Sequence, residues 1–300
     1  MKIAVTGGAG FIGSRLAKYL VAAGHDVLVI DNLSTADGSL IPEGASRLFL
    51  DIADFAMYEA LRGVELIAHL ATTNITLAEI EPMRAIRTNV AGMQRVLDAA
   101  RFTGAGVVYT GSVSIYGRSD VQPITEDTRT NPRGIYASTK LTGDHLAARG
   151  GAVTVRLSNV YGPHQLETNP YCGVVSNFMR KPDPVIYGDG TDTRDYLFID
   201  DAVDALVIAL YRSQRLRGVM MNLGTGIETS VNDLARLMGV TPRHEKPRGI
   251  DGIPRRVIDS TMARTLLGWR PKTDLQHGLE LTQEWFKHEY PMIGGHKWTR

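Results

Sequence analysis

A single cysteine, Cys172, in 300 residues excludes an internal disulfide and any metal site built from several thiolates. That scarcity fits a reducing compartment. Neither sign of charge is in excess: 33 Lys and Arg stand against 32 Asp and Glu, a formal net charge of +1. The chain therefore has no electrostatic footprint for nucleic acid or an anionic membrane surface. No apolar run approaches the roughly 18–20 residues that a membrane-spanning helix needs. The N-terminus opens on a strand-like run, Lys2 to Thr6, with no signal-peptide pattern, so the expected location is cytoplasmic. There is no internal repeat, no low-complexity tract and no metal-ligand spacing. What is present is an ordinary globular composition, 43% hydrophobic and 22% charged, with room for a large domain and a smaller companion.

The first half alternates short β-branched runs with amphipathic stretches. Strands are expected at Ile3–Val5, Val27–Ile30, Arg47–Leu50, Leu66–Leu70, Val107–Thr110 and Ala152–Arg156, with helices such as Ile12–Ala23 and Met83–Ala100 between them. Such alternation specifies an α/β fold, a Rossmann-type doubly wound parallel sheet covered on both faces. In Met83–Ala100 the apolar residues Met83, Ile86, Val90, Met93, Leu97 and Ala100 recur at steps of three and four, which predicts one core-packing helical face. After about residue 160 the alternation gives way to loops such as Tyr161-Gly162-Pro163, Lys181-Pro182-Asp183-Pro184 and Gly188-Asp189-Gly190. Residues 1–160 are expected to form the cofactor domain and 161–300 mainly a smaller substrate domain. The two interleave, because segments around 190–225, Val219–Leu223 among them, can return to the first sheet.

Thr6-Gly7-Gly8-Ala9-Gly10-Phe11-Ile12-Gly13 follows the first strand and opens the first helix. Glycines at Gly7, Gly10 and Gly13 permit a tight turn and let backbone N–H groups approach a pyrophosphate at the helix N-terminus. The second strand ends in Asp31 at the distance expected of a carboxylate that accepts ribose hydroxyls. No arginine follows in Asp31-Asn32-Leu33-Ser34 to receive a ribose phosphate, so NAD is favoured over NADP. The cofactor set extends to Phe11, Ile12 and Asn32, to Asp51 and Ile52 after the third strand, and to Leu70 and Ala71 after the fourth. His69 is as readily a packing or capping residue.

Tyr136-Ala137-Ser138-Thr139-Lys140 places a tyrosine and a lysine on one helical face. A neighbouring ammonium favours the phenolate of a residue whose reference pKa of about 10 makes it a poor base. Ser112 ends the fifth strand, where ligands of a parallel sheet bind. It is expected to hydrogen-bond the reacting substrate oxygen beside Tyr136. Ser114 reads as a cap or turn residue.

Together these residues resemble the extended short-chain dehydrogenase/reductases, and among them the UDP-glucose 4-epimerase-like enzymes. The similarity continues through Asn89-Val90, Arg156–Pro163, Tyr187–Gly190, Arg194-Asp195-Tyr196, Asn222–Gly226 and Leu267-Gly268-Trp269. The resemblance implies an NAD enzyme of nucleotide-activated sugars and a homodimer through two helices flanking the site. It implies that Asn159 contacts substrate and that Arg194 binds the diphosphate, a sensible task for a guanidinium. The alternative for Arg194 is an ion pair with Asp192 or Asp195. The segment Arg248–Arg256 is similar to the family's second arginine segment, with Arg255 taken as a substrate residue and Arg248 as the other possibility.

Related 4,6-dehydratases carry Asp-Glu directly after the hydroxyl residue, and decarboxylating relatives a glutamate at the second position. Here those positions are Val113 and Ser114. What remains is oxidation and reduction at one carbon, and the resemblance to the epimerases implies inversion at C4 through a transient 4-keto sugar. The alternatives are a 4-ketoreductase of GDP- or dTDP-sugars using NAD(P)H, or a scaffold that keeps the fold without the chemistry.

Overall fold

Alternate residues of the first strand lead to two different cores, which is what a strand buried on both faces requires. In the computed structural model, which describes residues 1–165, 173–181, 183–247 and 254–289, Ile3 and Val5 of β1 (Lys2–Thr6) join one apolar cluster. Ala4 between them joins the other. The same division holds in β2 (Asp26–Asp31), where Val27 and Val29 face one way and Ile30 the other. The first cluster is roofed by the helices Phe11–Ala22 and Ile199–Tyr211, the second by Met93–Thr103.

Five further strands complete the large sheet: β3 (Ser46–Phe49), β4 (Leu66–His69), β5 (Gly106–Ser112), β6 (Val153–Leu157) and, after a small strand β7 (Asn159–Tyr161), the late strand β10 (Met220–Leu223). Between β7 and β10 lie β8 (Val185–Tyr187) and β9 (Thr193–Phe198); β11 (Glu228–Ser230) and β12 (Arg243–Glu245) follow. The seven-stranded order is β10-β6-β5-β4-β1-β2-β3, parallel throughout. The chain winds outward from β1 in both directions, so a crevice opens beyond the carboxyl ends of β1 and β4. The small strands form a β11-β9-β7 sheet and a β12-β8 pair. The fold is thus the Rossmann-type doubly wound sheet that the alternation predicts. Among the described residues no helix is long and apolar enough to cross a membrane, and no group of three or more His, Cys, Asp or Glu is placed to hold a metal.

One expectation fails. Met83 and Ile86 do not face the core: Met83 is 74% and Ile86 42% exposed, whereas Met93, Leu97 and Ala100 are buried. The helix is not one regular helix. Pro82–Ala85 is α-helical, Ile86–Gly92 is π-helical, and Met93–Thr103 is α-helical again. The wider π-turn rotates the segment before it out of phase with the one after it. The buried positions of the first part become Ala85 and Asn89. Cys172, Pro182 and the stretch from Arg248 through Ile253 lie outside the described residues.

Candidate active site

The turn after β1 is built so that only glycine fits. Gly7 has φ +69°, and a Cβ there would stand 2.6 Å from the Ala71 amide nitrogen. A Cβ on Gly13 would run into the Gly7 carbonyl oxygen. Loop, helix start and the segment after β4 therefore meet at backbone distance, leaving N–H groups and a helix N-terminus to face an anion. Phe11 and Ile12 form the first helical turn and pack on the sheet with their rings and methyls partly buried. Asp31 faces the same loop: one carboxylate oxygen accepts from Ala9 N at 3.1 Å, the other from Leu33 N at 2.9 Å. Asn32 accepts from Ser34 N at 3.1 Å, closing a local turn. Asp51 accepts from Ala53 N at 2.9 Å and pairs with Arg87 at 3.4 Å, while Ile52 is buried against Gly92. Leu70 N donates to Thr6 O at 3.0 Å. This cradle fits NAD: a backbone-lined anion site next to a carboxylate at the end of β2, with no described arginine beside it.

His69 is structural. It is 1% exposed, its Nδ1 lies 2.7 Å from Thr6 Oγ1, and its ring stacks on Tyr109 at 5.7 Å. Burial, with Lys140 adding to it, pushes its imidazole down to about 3, so the ring is neutral. The contact ties the end of β4 to the end of β1, just before the glycine turn.

The helix Gly134–Gly150 carries Tyr136 and Lys140. Lys140 is 3% exposed, and its ammonium donates to Thr110 O of β5 at 2.8 Å. Its Nζ lies 5.9 Å from the centre of the Tyr136 ring. Burial pushes Lys140 down to about 8, with Asp144 pulling the other way. Two residues beyond Thr110, Ser112 ends β5 partly exposed. Its Oγ accepts from Ser114 N at 3.2 Å, so Ser112 caps the following short turn, Val113–Tyr116. Ser114 lies within that turn, as a turn residue, and its hydroxyl is buried without a hydrogen-bond partner among the described residues; the capping oxygen is that of Ser112. Capping uses a lone pair of Ser112 and leaves its proton to be donated. Tyr136, Lys140 and Ser112 are thereby gathered at the carboxyl end of β5.

Asn159 begins β7 and pairs in register with Tyr196 of β9. Arg194, on the same strand as Tyr196, has a side chain 19% exposed and donates to Thr193 O at 2.7 Å. Of its two candidate partners the structure selects Asp192, at 3.5 Å. Asp195 is turned inward to accept from Thr225, Gly226 and Ile258. Arg255 is held bidentately by Glu228, at 2.6 and 3.0 Å, and Glu228 also accepts from Thr193 Oγ1 at 2.9 Å. Both arginines therefore cluster about the β9–β11 edge, already neutralised by carboxylates.

Residues with a match over 3–224 fit the description "NAD dependent epimerase/dehydratase family". The chain belongs to that family. Proteins similar to it include the UDP-glucose 4-epimerase of Mycolicibacterium smegmatis, 36% identical over 96% of this chain and 99% of the relative. The UDP-N-acetyl-alpha-D-glucosaminuronate decarboxylase of Bacillus cytotoxicus is 29% identical over 94% and 97%. Among solved structures, the Thermotoga maritima UDP-glucose 4-epimerase with UDP-glucose superposes with a TM-score of 0.88, at 32% identity over 96% of this chain and 99% of that one. The protein is an NAD-dependent enzyme of the sugar-nucleotide epimerase group, and NAD is its cofactor.

Several residues that support this arrangement have no role evident from the sequence alone. Asn89, in the π-turn, accepts from Thr73 N at 2.7 Å and donates to Thr73 O at 3.1 Å and Thr139 Oγ1 at 3.0 Å. It fastens the segment after β4 to the helix of Tyr136. Asp144, Arg156 and Tyr116 form a buried chain behind Lys140. The signal for Asp144 was available: it stands four residues after Lys140, as Lys140 does after Tyr136.

Proposed function

We propose that this family member inverts C4 of a nucleotide-activated sugar through a transient 4-keto intermediate. The reading is carried by Tyr136, Lys140 and Ser112 gathered at one strand end, followed by Val113 and Ser114 where a dehydratase or decarboxylase needs an acid or base. Tyr136 takes the proton of the 4-hydroxyl, Lys140 favours the phenolate, and Ser112 donates to the same sugar oxygen. NAD, when bound, supplies the hydride acceptor and donor. Gly7, Gly10, Phe11, Ile12 and Gly13 hold its pyrophosphate, with Asp31 and Asn32 at one ribose. Asp51, Ile52, Leu70 and Ala71 line its path, and Lys140 takes the second ribose. Asn159, Arg194 and Arg255 hold the substrate, the guanidiniums exchanging Asp192 and Glu228 for the diphosphate. Anchoring the nucleotide there leaves the sugar free to present either face.

The activity named for the relatives from Mycolicibacterium smegmatis and Thermotoga maritima supports this reading, whereas Ser114 gives none to decarboxylation. We further infer a homodimer, supported by the exposed apolar side chains Ile80, Met83 and Ile86 beside the catalytic helix, and a cytoplasmic setting. The test is proton NMR of the protein with UDP-, GDP- and dTDP-sugars, catalytic NAD and no added reductant. The C4-inverted sugar is expected without build-up of NADH. Turnover only with NADPH and a 4-keto sugar overturns the epimerase in favour of a ketoreductase.

A further inference from the structure

A buried ammonium needs a countercharge, and the groups that touch Lys140 do not supply one. Its hydrogen-bond acceptor, Thr110 O, is a neutral carbonyl. Tyr109 of β5 lies with its ring centre 4.9 Å from Nζ, held in the phenol form by burial, and His69 of β4 is neutral. The negative charge sits one turn further along the helix. Tyr136, Lys140 and Asp144 follow at steps of four and share one face. Asp144 is 1% exposed. One of its oxygens accepts from Arg156 Nε of β6 at 2.8 Å. The other has no hydrogen-bond partner among the described residues and lies against Gly111, where a Cβ would stand 2.8 Å from it. Gly111 separates Thr110, which holds Lys140, from Ser112. Arg156 passes on to Tyr116, whose hydroxyl accepts from the guanidinium at 2.7 Å and donates to Asn222 Oδ1 at 2.8 Å. One oxygen of the carboxylate is therefore taken by Arg156, and the other, buried, faces the strand segment between Thr110 and Ser112.

We propose that Asp144 is a positioning residue whose charge keeps Lys140 an ammonium, and through it sets the pH range in which Tyr136 works. The effect on Tyr136 rests on the epimerase reading; the charge state of Lys140 does not. Electrostatics agree with the geometry. Burial pushes Lys140 down and Asp144 pulls it up, while burial pushes the Asp144 carboxyl up against Arg156, Lys140 and the exposed His145. The charged or titratable groups facing this pair are thus His69, Tyr109, Arg156 and Tyr116 from the sheet and its turn, with Tyr136 and His145 on the helix itself.

The experiment is a pH titration of the full chain labelled with carbon-13 at the lysine ε-carbon, read by NMR, with the Lys140 signal assigned by Lys140→Met. Wild type is expected to titrate at about 8. In Asp144→Asn, which keeps the shape and removes the charge, the midpoint is expected to fall by about one unit or more. Asp144→Glu restores it. Arg156→Met leaves the carboxylate to Lys140 alone and does not lower the midpoint. In Asp144→Asn the alkaline limb of kcat moves to lower pH by the same amount. An unmoved Lys140 midpoint in folded Asp144→Asn overturns the proposal. So does an equal fall in Asp144→Asn and Arg156→Met, the signature of an ion pair that merely holds the fold. If Asp144→Asn does not fold, Arg156→Met and Asp144→Glu decide: a lowered midpoint in both refutes the countercharge, and an undiminished one in both sustains it. Lys140 midpoints that move as expected, in a protein that epimerises no sugar nucleotide, leave the countercharge standing and remove the epimerase reading.

Discussion

Burial pushes Lys140 to about 8 against an ordinary 10.5, and this one shift acts on activity and stability in opposite directions. As pH rises through about 8 the folded protein loses the Lys140 ammonium, and under the proposed mechanism, in which that charge supports Tyr136, kcat is expected to fall. The unfolded chain keeps its proton until about 10.5, so over that window it binds more protons and the folded state gains stability with pH. Comparing urea midpoints of wild type and Lys140→Met across pH 7–10 isolates this contribution; an identical pH slope in both removes it. His69 gives the mirror case on the acid side. Its folded pKa of about 3 lies below the ordinary 6.5, so stability is lost as pH falls through that interval. The drop in urea midpoint between pH 7 and pH 4.5 should be smaller in His69→Asn than in wild type. Tyr136→Phe, which keeps the ring and removes only the proton-transfer group, is expected to lower kcat by about 10²–10⁴ with an unchanged melting temperature. Retention of turnover in that variant sinks the assignment of the base.

At the scale of elements the glycine turn and the broken helix show two kinds of legibility. The turn is legible because strand, turn and helix are written in consecutive letters and Gly13 is required by the Gly7 carbonyl six residues before it, although Gly7 itself is also pressed by Ala71 after β4. Gly13→Ala is expected to push the turn open against the Gly7 carbonyl and weaken NAD binding by tenfold or more, with far-UV circular dichroism unchanged; calorimetric titration with NAD measures it. The helix 82–103 is the contrary case. Steps of three and four describe a regular helix, and Met83 with Ile86 satisfied that pattern while facing outward. The π-turn that sets the phase is held by Asn89, which bonds to Thr73 and Thr139, residues 16 and 50 positions away. Nothing local to the helix announces those partners.

For the whole molecule, the outward face bearing Ile80, Met83 and Ile86 runs beside the helix of Tyr136, where exposed apolar area of this kind is commonly covered by a partner. Sedimentation equilibrium is expected to return twice the 32.8 kDa chain mass. Met83→Asp combined with Ile86→Asp should return the chain mass, and a double variant that remains dimeric places the interface elsewhere.

What the sequence determined by itself is the part of the protein whose physics is short in range. The alternation of strand and helix, the glycine-rich stretch between strand and helix, Asp31 at the next strand end and the Tyr136–Lys140 spacing can each be read from neighbours along the chain. The sequence allowed Val219–Leu223 to return to the first sheet, but the order of the strands, with β10 at the edge beside β6 from some sixty residues earlier, was decided in three dimensions. So were the choice of Asp192 over Asp195 for Arg194, the capture of Arg255 by Glu228 and the carboxylate behind Lys140. Burial and ion pairing join residues that the chain separates, and which carboxylate meets which cation is fixed only when the strands that carry them pack.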